Sequence, residues 1–320
     1  MSIKVLVLAA VLASASVAAA SIYIAPEKVT ALALDLSRQR SGLTRKEITL
    51  ADGLHYVYLE GGTGEPLLLF HGFGANKDHF TSVSRFLTPH YRVIIPDHIG
   101  FGESSHPQDV DYSPPAQAAR LRAFAQAVGL ERFHLGGSSM GGQIGLTYAA
   151  LFPGDVESLW LLDSGGVWSA PKSERQRIVE GGGRNPLMAT SEEEFAKIPS
   201  FVMSKPPYVP RFMLNVMARE RIRNFALEQR IYDADVAYQM EPHIAGLTTP
   251  TLIVWGKEDR SHNVGAAYIL HRLLPNSQVI ILPDTGHLPM LEQPERCALD
   301  YLDFRRALER RTLPTAMRAS

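Results

Sequence analysis

Cysteine is almost missing: Cys297 stands alone in 320 residues, so no internal disulfide can staple the fold and no C-x-x-C pair offers a zinc site. An excess of either charge is missing too. The formal net charge is −1 and basic residues never run longer than a pair such as Arg305-Arg306 or Arg310-Arg311. No phosphate-tracking surface can be drawn from that pattern, which removes nucleic acid as a partner. No internal repeat or low-complexity tract is present, which excludes solenoids and propellers. What is there is a chain with 45% apolar residues, long enough to bury a large core in one elaborated domain or two.

The amino-terminal stretch is the most apolar. From Val5 to Ala25 no residue is charged, Lys4 precedes it, and Ala, Val and Leu dominate. About twenty apolar residues can cross a bilayer core, so a retained anchor is one reading. A cleavable signal peptide is the other, with Ala18-Ala19-Ala20 before Ser21 as an A-x-A cleavage site. Apolar character continues past that site through Ser21-Ile22-Tyr23-Ile24-Ala25, which favours retention. Pro26 then opens a helix in which Val29, Leu32, Ala33 and Leu36 form a stripe at i, i+3, i+4, i+7, suited to lying on a membrane or another helix. Small residues four apart (Ala9 and Ala13; Ala10, Ser14 and Ala18) allow close approach of two such helices, so the expected partners are the bilayer and a homodimer formed through the anchor and the following helix. Lys28, Arg38, Arg40, Arg45 and Lys46 outnumber Lys4 and the amino terminus, and the positive-inside rule would then hold the body in the cytoplasm.

The remainder alternates strand and helix. Strands are expected at 46–50 and 56–60 around an Ala51-Asp52-Gly53 turn, then at 66–70, 92–95, 132–135, 158–162, 251–255 and 278–282, with helices at 79–87, 115–128 and 140–151. Pro66-Leu67-Leu68-Leu69-Phe70 is apolar throughout, as a strand buried on both faces must be. This rhythm predicts an α/β fold with a mostly parallel sheet covered by helices on both sides. It breaks between Gly166 and His243, where Gly181-Gly182-Gly183, several prolines (Pro186, Pro199, Pro206, Pro207 and Pro210) and helical segments leave no strand. An insertion there reads as a helical cap over the strand C-termini, where open α/β sheets bind ligands. Phe201, Met203, Tyr208, Phe212 and Met213 are the apolar candidates to face a substrate pocket beneath it. The expected divisions are 1–25 anchor or signal segment, 26–45 amphipathic helix, 46–165 first part of the core, 166–242 cap, 243–310 second part of the core and 311–320 tail.

The chain is organised around Gly137-Ser138-Ser139-Met140-Gly141, a G-x-S-x-G element between a strand and a helix. A turn that tight pushes the Ser139 hydroxyl above the sheet edge and leaves room only for glycine beside it. The bland alternative is a glycine-rich turn with two solvent serines. Context decides against it, because a serine nucleophile needs an imidazole base and a carboxylate to hold that base, and both follow on late loops. His287 lies just past the strand at 278–282, and Asp259 past the strand at 251–255. The order Ser139, Asp259, His287 is the one this arrangement uses. Glu258 and Asp163 are the rival carboxylates. Oxyanion donors are expected from the Met140 N–H, at the positive end of the new helix, and from the Phe73 N–H in His71-Gly72-Phe73-Gly74. His71 is read as a buttress of that loop, and Asp97-His98-Ile99-Gly100-Phe101-Gly102 as a sharp turn near the site.

Four motifs in order, from about residue 50 to 304, resemble the α/β-hydrolase superfamily: the His71-Gly72 loop, the elbow, Trp255-Gly256-Lys257-Glu258-Asp259 and Gly286-His287. The apolar amino terminus, His71-Gly72-Phe73-Gly74-Ala75-Asn76-Lys77-Asp78 and Ser139-Met140-Gly141-Gly142-Gln143 resemble membrane-anchored monoacylglycerol lipases and bacterial membrane-anchored lipases and phospholipases A. Ile99 departs from the pattern, where relatives commonly carry proline. The resemblance implies a serine ester hydrolase acting on a lipid or fatty-acyl ester through an acyl-serine, with no metal or organic cofactor. It also implies a bacterial inner-membrane protein whose body faces the periplasm, or a periplasmic or secreted one if the amino terminus is cleaved. Two other functions share these features: carbon–carbon bond hydrolysis by the same triad, and lipid binding by an idle site.

Overall fold

Leu67, Leu68 and Leu69 are each fully buried, and their burial follows from the two-residue period of a strand. Leu67 and Leu69 enter the core on one face of the sheet, Leu68 and Phe70 the core on the other. At about 2 kcal/mol for each buried leucine, such a segment is stable only with apolar layers on both sides. The computed structural model of the protein, which describes residues 22–312, supplies those layers. Its eight strands are β1 (Leu43–Thr49), β2 (His55–Gly61), β3 (Glu65–Phe70), β4 (Tyr91–Pro96), β5 (Phe133–Ser138), β6 (Val156–Leu162), β7 (Thr251–Gly256) and β8 (Ser277–Leu282). They lie in the order β1-β2-β4-β3-β5-β6-β7-β8. The first two joins are antiparallel and the rest parallel.

Helices Pro114–Ala127, Met140–Leu151 and Gly265–Leu273 cover one face, and helices Thr81–Leu87 and Pro294–Thr312 the other. On the second face Trp160 of β6 stacks on Tyr301 at 4.7 Å between ring centroids. Between β6 and β7 the chain makes only helices and turns, the longest being Arg211–Arg223 and Phe225–Ala237. Every strand expected from the sequence is present, with ends displaced by one to three residues; β1 stops at Thr49 and not at 50, β5 starts at Phe133 and not at 132, and the other shifts lengthen the strands.

The helix begun by Pro26 runs to Arg40. It is seated on the body by Thr30 and Arg38, both buried, while Leu32 and Leu36 of the expected apolar stripe point outward. Arg38 closes the contact with a bidentate pair to Asp78, both bonds 2.7 Å. Among the described residues no helix is long and apolar enough to cross a membrane. The anchor or signal segment expected at 1–25 lies, but for its last four residues, outside the described part of the chain, as does the tail beyond 312.

Candidate active site

β5 ends at Ser138 and the next helix starts at Met140, so Ser139 alone makes the turn, with φ 55° and ψ −123°. This is the left-handed side of backbone space, costly for a residue with a Cβ and tolerated where the surroundings over-determine it. Here they do. A Cβ at Gly137 would meet the Gly141 carbonyl, and one at Gly141 would meet the carbonyls of Phe70 and His71. The two glycines are therefore what lets the helix approach its own strand and β3. The Ser139 carbonyl accepts from Gly142, Gln143 and Gly165 N–H groups, which pins the turn from both sides.

His287 comes from the loop after β8, and its Nδ1–H donates to Asp259 Oδ2 at 2.8 Å. Oδ1 of Asp259 accepts from the Ser261 and His262 N–H groups at 2.7 and 3.0 Å. Burial works against the Asp259 anion, but the His287 charge and hydrogen bond outweigh it and hold the carboxyl below its ordinary range. With Nδ1 committed to Asp259, Nε2 of His287 is left to accept a proton. Ser139 and His287 both line a chamber of about 60 Å³ whose wall also includes Gly72, Phe73 and Leu288. Phe73, the expected second oxyanion donor, thus borders the serine, and Met140 is the first residue of the helix aimed at it.

The rival carboxylates have other positions. Glu258 accepts the Thr285 N–H at 2.9 Å and ties the two loops together. Asp163 is fully buried at the end of β6, with φ 46°, and accepts the Gly256 N–H at 2.9 Å. Burial first, and the neighbouring Asp259 charge second, drive its acidity well toward the neutral acid. Asp259, His262 and His287 hold their ligand atoms within 4.8 Å of one another, a donor set of the kind that binds metal, but both Asp259 oxygens are already engaged. Burial keeps His262 neutral, its pKa pushed down to about 3, so no like charge opposes His287.

The oxyanion loop is braced from three directions. His71 is fully buried, donates from Nδ1 to the Gly72 carbonyl at 2.8 Å and accepts the His98 N–H on Nε2 at 3.0 Å, the buttress expected of it. Lys77, also buried, pairs with Asp97 at 2.8 Å and Glu103 at 2.7 Å. From the cap, Arg221 donates to the Gly74 carbonyl and to the Leu187 carbonyl, each at 2.8 Å, pairs with Glu228, and lies over the Phe73 ring at 5.7 Å. Sequence reasoning missed Lys77, Asp97 as its partner, and Arg221. Lys77 stands inside the quoted loop, yet a charge in a loop reads as solvated until its partner is found twenty residues away.

Beneath the cap a cavity of about 290 Å³ adjoins the serine chamber and shares His79, Ile198, Val202, Arg221 and Leu288 with it. Of the five candidate pocket residues, Met203 lines this cavity and Phe201, Tyr208, Phe212 and Met213 do not. Helix phase is the reason for the last two: Arg211–Arg223 turns Leu214, Met217 and Arg221 inward, which puts Phe212 and Met213 on other faces. Tyr208 is 90% exposed, and Phe201 lies under the Arg260 guanidinium at 4.5 Å. Leu34 of the amino-terminal helix is part of the wall. A larger open groove, about 790 Å³, runs between that helix and the carboxy-terminal one and includes none of these side chains.

Residues 65–294 match the family described as the alpha/beta hydrolase fold. Lipase 1 of Psychrobacter immobilis is 45% identical, the match covering 86% of this chain and 88% of that one. Human monoacylglycerol lipase is 31% identical over 74% of each chain. The crystal structure of a membrane phospholipase A superposes with a TM-score of 0.86 at 37% identity, over 96% of this chain and 99% of that one.

Proposed function

The chain belongs to the α/β-hydrolase fold family and is a carboxylic ester hydrolase of lipase type; on that premise we propose that Ser139, His287 and Asp259 are its catalytic triad and that it works at a membrane. His287 Nε2 takes the Ser139 proton as the oxygen attacks the ester carbonyl, and the Phe73 and Met140 N–H groups receive the oxyanion. Collapse of the tetrahedral adduct breaks the ester C–O bond, and the proton on His287 goes to the departing alcohol. Water then attacks the acyl-serine by the same proton path and frees the acid.

One observation carries this reading: the 2.8 Å bond between His287 Nδ1 and Asp259 Oδ2, on an imidazole that shares a chamber with the strained elbow serine. Substrate type is supported by the apolar part of the adjoining cavity, where Ile198, Val202, Met203, Val209, Leu214 and Met217 can take an acyl chain. The apolar stretch 5–25 and the outward Leu32 and Leu36 support retention at a membrane, with the body in the bacterial periplasm and a homodimer through the amino-terminal helices. A panel of p-nitrophenyl esters of increasing chain length, beside monoacylglycerol, lysophospholipid and phospholipid, tests the substrate class. Long-chain lipid esters are expected to exceed acetate and butyrate. A preference for acetate, or turnover of a ring-cleavage diketone in place of esters, would contradict it. Sequencing of the mature amino terminus from membranes tests the anchor, and a start at Ser21 would refute retention.

A further inference from the structure

The cavity beneath the cap is lined by apolar side chains and by a smaller set of polar ones, and several of the polar ones lack partners. Four charged residues line it: Asp78, Glu220, Arg221 and Glu228. Asp78 is held by Arg38, and Glu228 by Arg221. Arg221 is spent on Glu228 and on the Gly74 and Leu187 carbonyls. Among the described residues the Glu220 carboxylate has no hydrogen bond or ion pair. Two imidazole atoms of the same lining, His79 Nδ1 and His106 Nε2, are buried without a partner. Burial keeps both rings neutral, with His79 pushed down to about 4. Buried polar groups are nearly always satisfied, so two unsatisfied imidazole atoms and a half-buried, unpaired carboxylate around a single cavity point to a ligand that satisfies them. His79 also borders the Ser139 chamber, which puts this polar wall within reach of the ester.

We propose that Glu220, His79 and His106 form the subsite for the leaving alcohol, that they recognise an uncharged, hydroxyl-bearing headgroup, and that the same wall turns away headgroups carrying phosphate. The inference rests on the ester-hydrolase reading above. Neutral imidazoles and a carboxyl each accept from, or donate to, hydroxyl groups. An anionic headgroup would meet carboxylates with no unengaged cation on the lining, and a like charge in a partly desolvated pocket is costly. Glu220 titrates where this matters. Its pKa is pushed up to about 7, first by burial and then by the Asp97 charge. The groups facing it are Asp97 and Lys77 from beneath, Glu228 and Arg221 from the cap, and the neutral rings of His79 and His106. Below about pH 7 it is a neutral acid that donates to a hydroxyl, and above it an anion that repels phosphate.

The test compares three oleoyl esters on the full chain in detergent: 1-oleoylglycerol, oleoyl-lysophosphatidylglycerol and methyl oleate, from pH 6 to pH 9. In the wild type the kcat/KM ratio of the glycerol ester to the phosphate-bearing one is expected to rise about tenfold across that range, as one charge is switched on. Glu220→Gln should flatten this pH dependence, and His79→Leu should erase the advantage of the glycerol ester over the methyl ester. A ratio that does not change with pH in the wild type, or a preference for the phosphate-bearing ester, overturns the proposal without any variant having to fold. Turnover of none of the three esters would sink the ester-hydrolase reading itself, and the subsite with it.

Discussion

The elbow and the cap are built to opposite specifications. In the helix that follows Ser139, all residues but the last two are buried; in the cap helix Arg211–Arg223 only Ala218 is. The elbow is over-determined by backbone contacts, with glycines that admit no Cβ and a serine carbonyl bonded three times. The cap meets the core through a few buried apolar side chains, Leu227, Ile231 and Val202 among them, and through polar ties such as Arg221 on Gly74, Gln143 on the Asp235 carbonyl and the His287 N–H on the Val202 carbonyl. Chemistry that needs fixed distances is thus placed where packing is dense, and substrate choice where the surface can vary.

The largest effect expected lies at the dense end and separates its two buried carboxylates. Asp259→Asn should lower kcat by about 10⁴-fold, as loss of the tautomer-holding acid does elsewhere, whereas Asp163→Asn should cost less than about tenfold, since a neutral amide replaces a group held toward its neutral acid. Equal losses in steady-state kinetics would erase the distinction drawn between them. Next comes the tie between the two regions. Arg221→Ala frees the Gly74 carbonyl and the Phe73 ring, so kcat should fall by about ten- to a hundredfold, in the range for a misplaced oxyanion donor, with KM changed less than about threefold. A rise in KM with kcat intact would mean that Arg221 serves substrate binding and not the placement of the Phe73 loop.

Within the cap, Leu214→Trp should fill the cavity and shift the best acyl chain shorter by several carbons, while Tyr208→Ala, at a 90% exposed site, should change kcat/KM by less than about twofold. Sensitivity at Tyr208 and indifference at Leu214 would reverse the assignment of the wall. The smallest effect is on stability. Burial holds His98 neutral with its pKa pushed down to about 4 and His262 to about 3, and lowers His71 well below its ordinary value. The unfolded chain binds protons at these rings below about pH 6.5 and the folded one does not, so stability falls as pH drops from 6.5 toward 4 and is unaffected by them above 6.5. Glu220 and Asp163, held toward their neutral acids, act in the opposite sense over the same range, so the imidazole part is read by difference: the change in melting temperature between pH 7 and pH 5 should shift upward by a few degrees in His262→Gln relative to the wild type, and an unchanged difference would contradict a buried neutral imidazole.

What was legible in the sequence divides along the same line. β3 could be read because a strand covered on both faces must be apolar where it is buried, and the elbow because the G-x-S-x-G spacing is itself local, with Gly137 forced by the Gly141 carbonyl four residues on. Asp259 and His287 could be placed because each follows an apolar strand of the alternation, β7 buried throughout and β8 half-buried at the sheet edge. The Lys77–Asp97 pair, the Arg38–Asp78 clamp and Arg221 on Gly74 were not legible, since a charge gives no local sign of the distant partner that allows its burial. Apolarity alone marks Phe212 and Met213 for the pocket; the phase of their helix, which decides which side chains turn inward, depends on how the cap docks. Glu220 escaped for the same reason, one position before Arg221 on a helix whose charged residues read as a solvated face.

Ser139 is the proposed nucleophile, and intact-mass analysis after exposure to a fluorophosphonate tests that most directly. One adduct per chain is expected, mapped to Ser139, absent in Ser139→Ala and formed far more slowly in Asp259→Asn. Folded wild-type protein that takes no label, or an adduct that persists in Ser139→Ala, would contradict it.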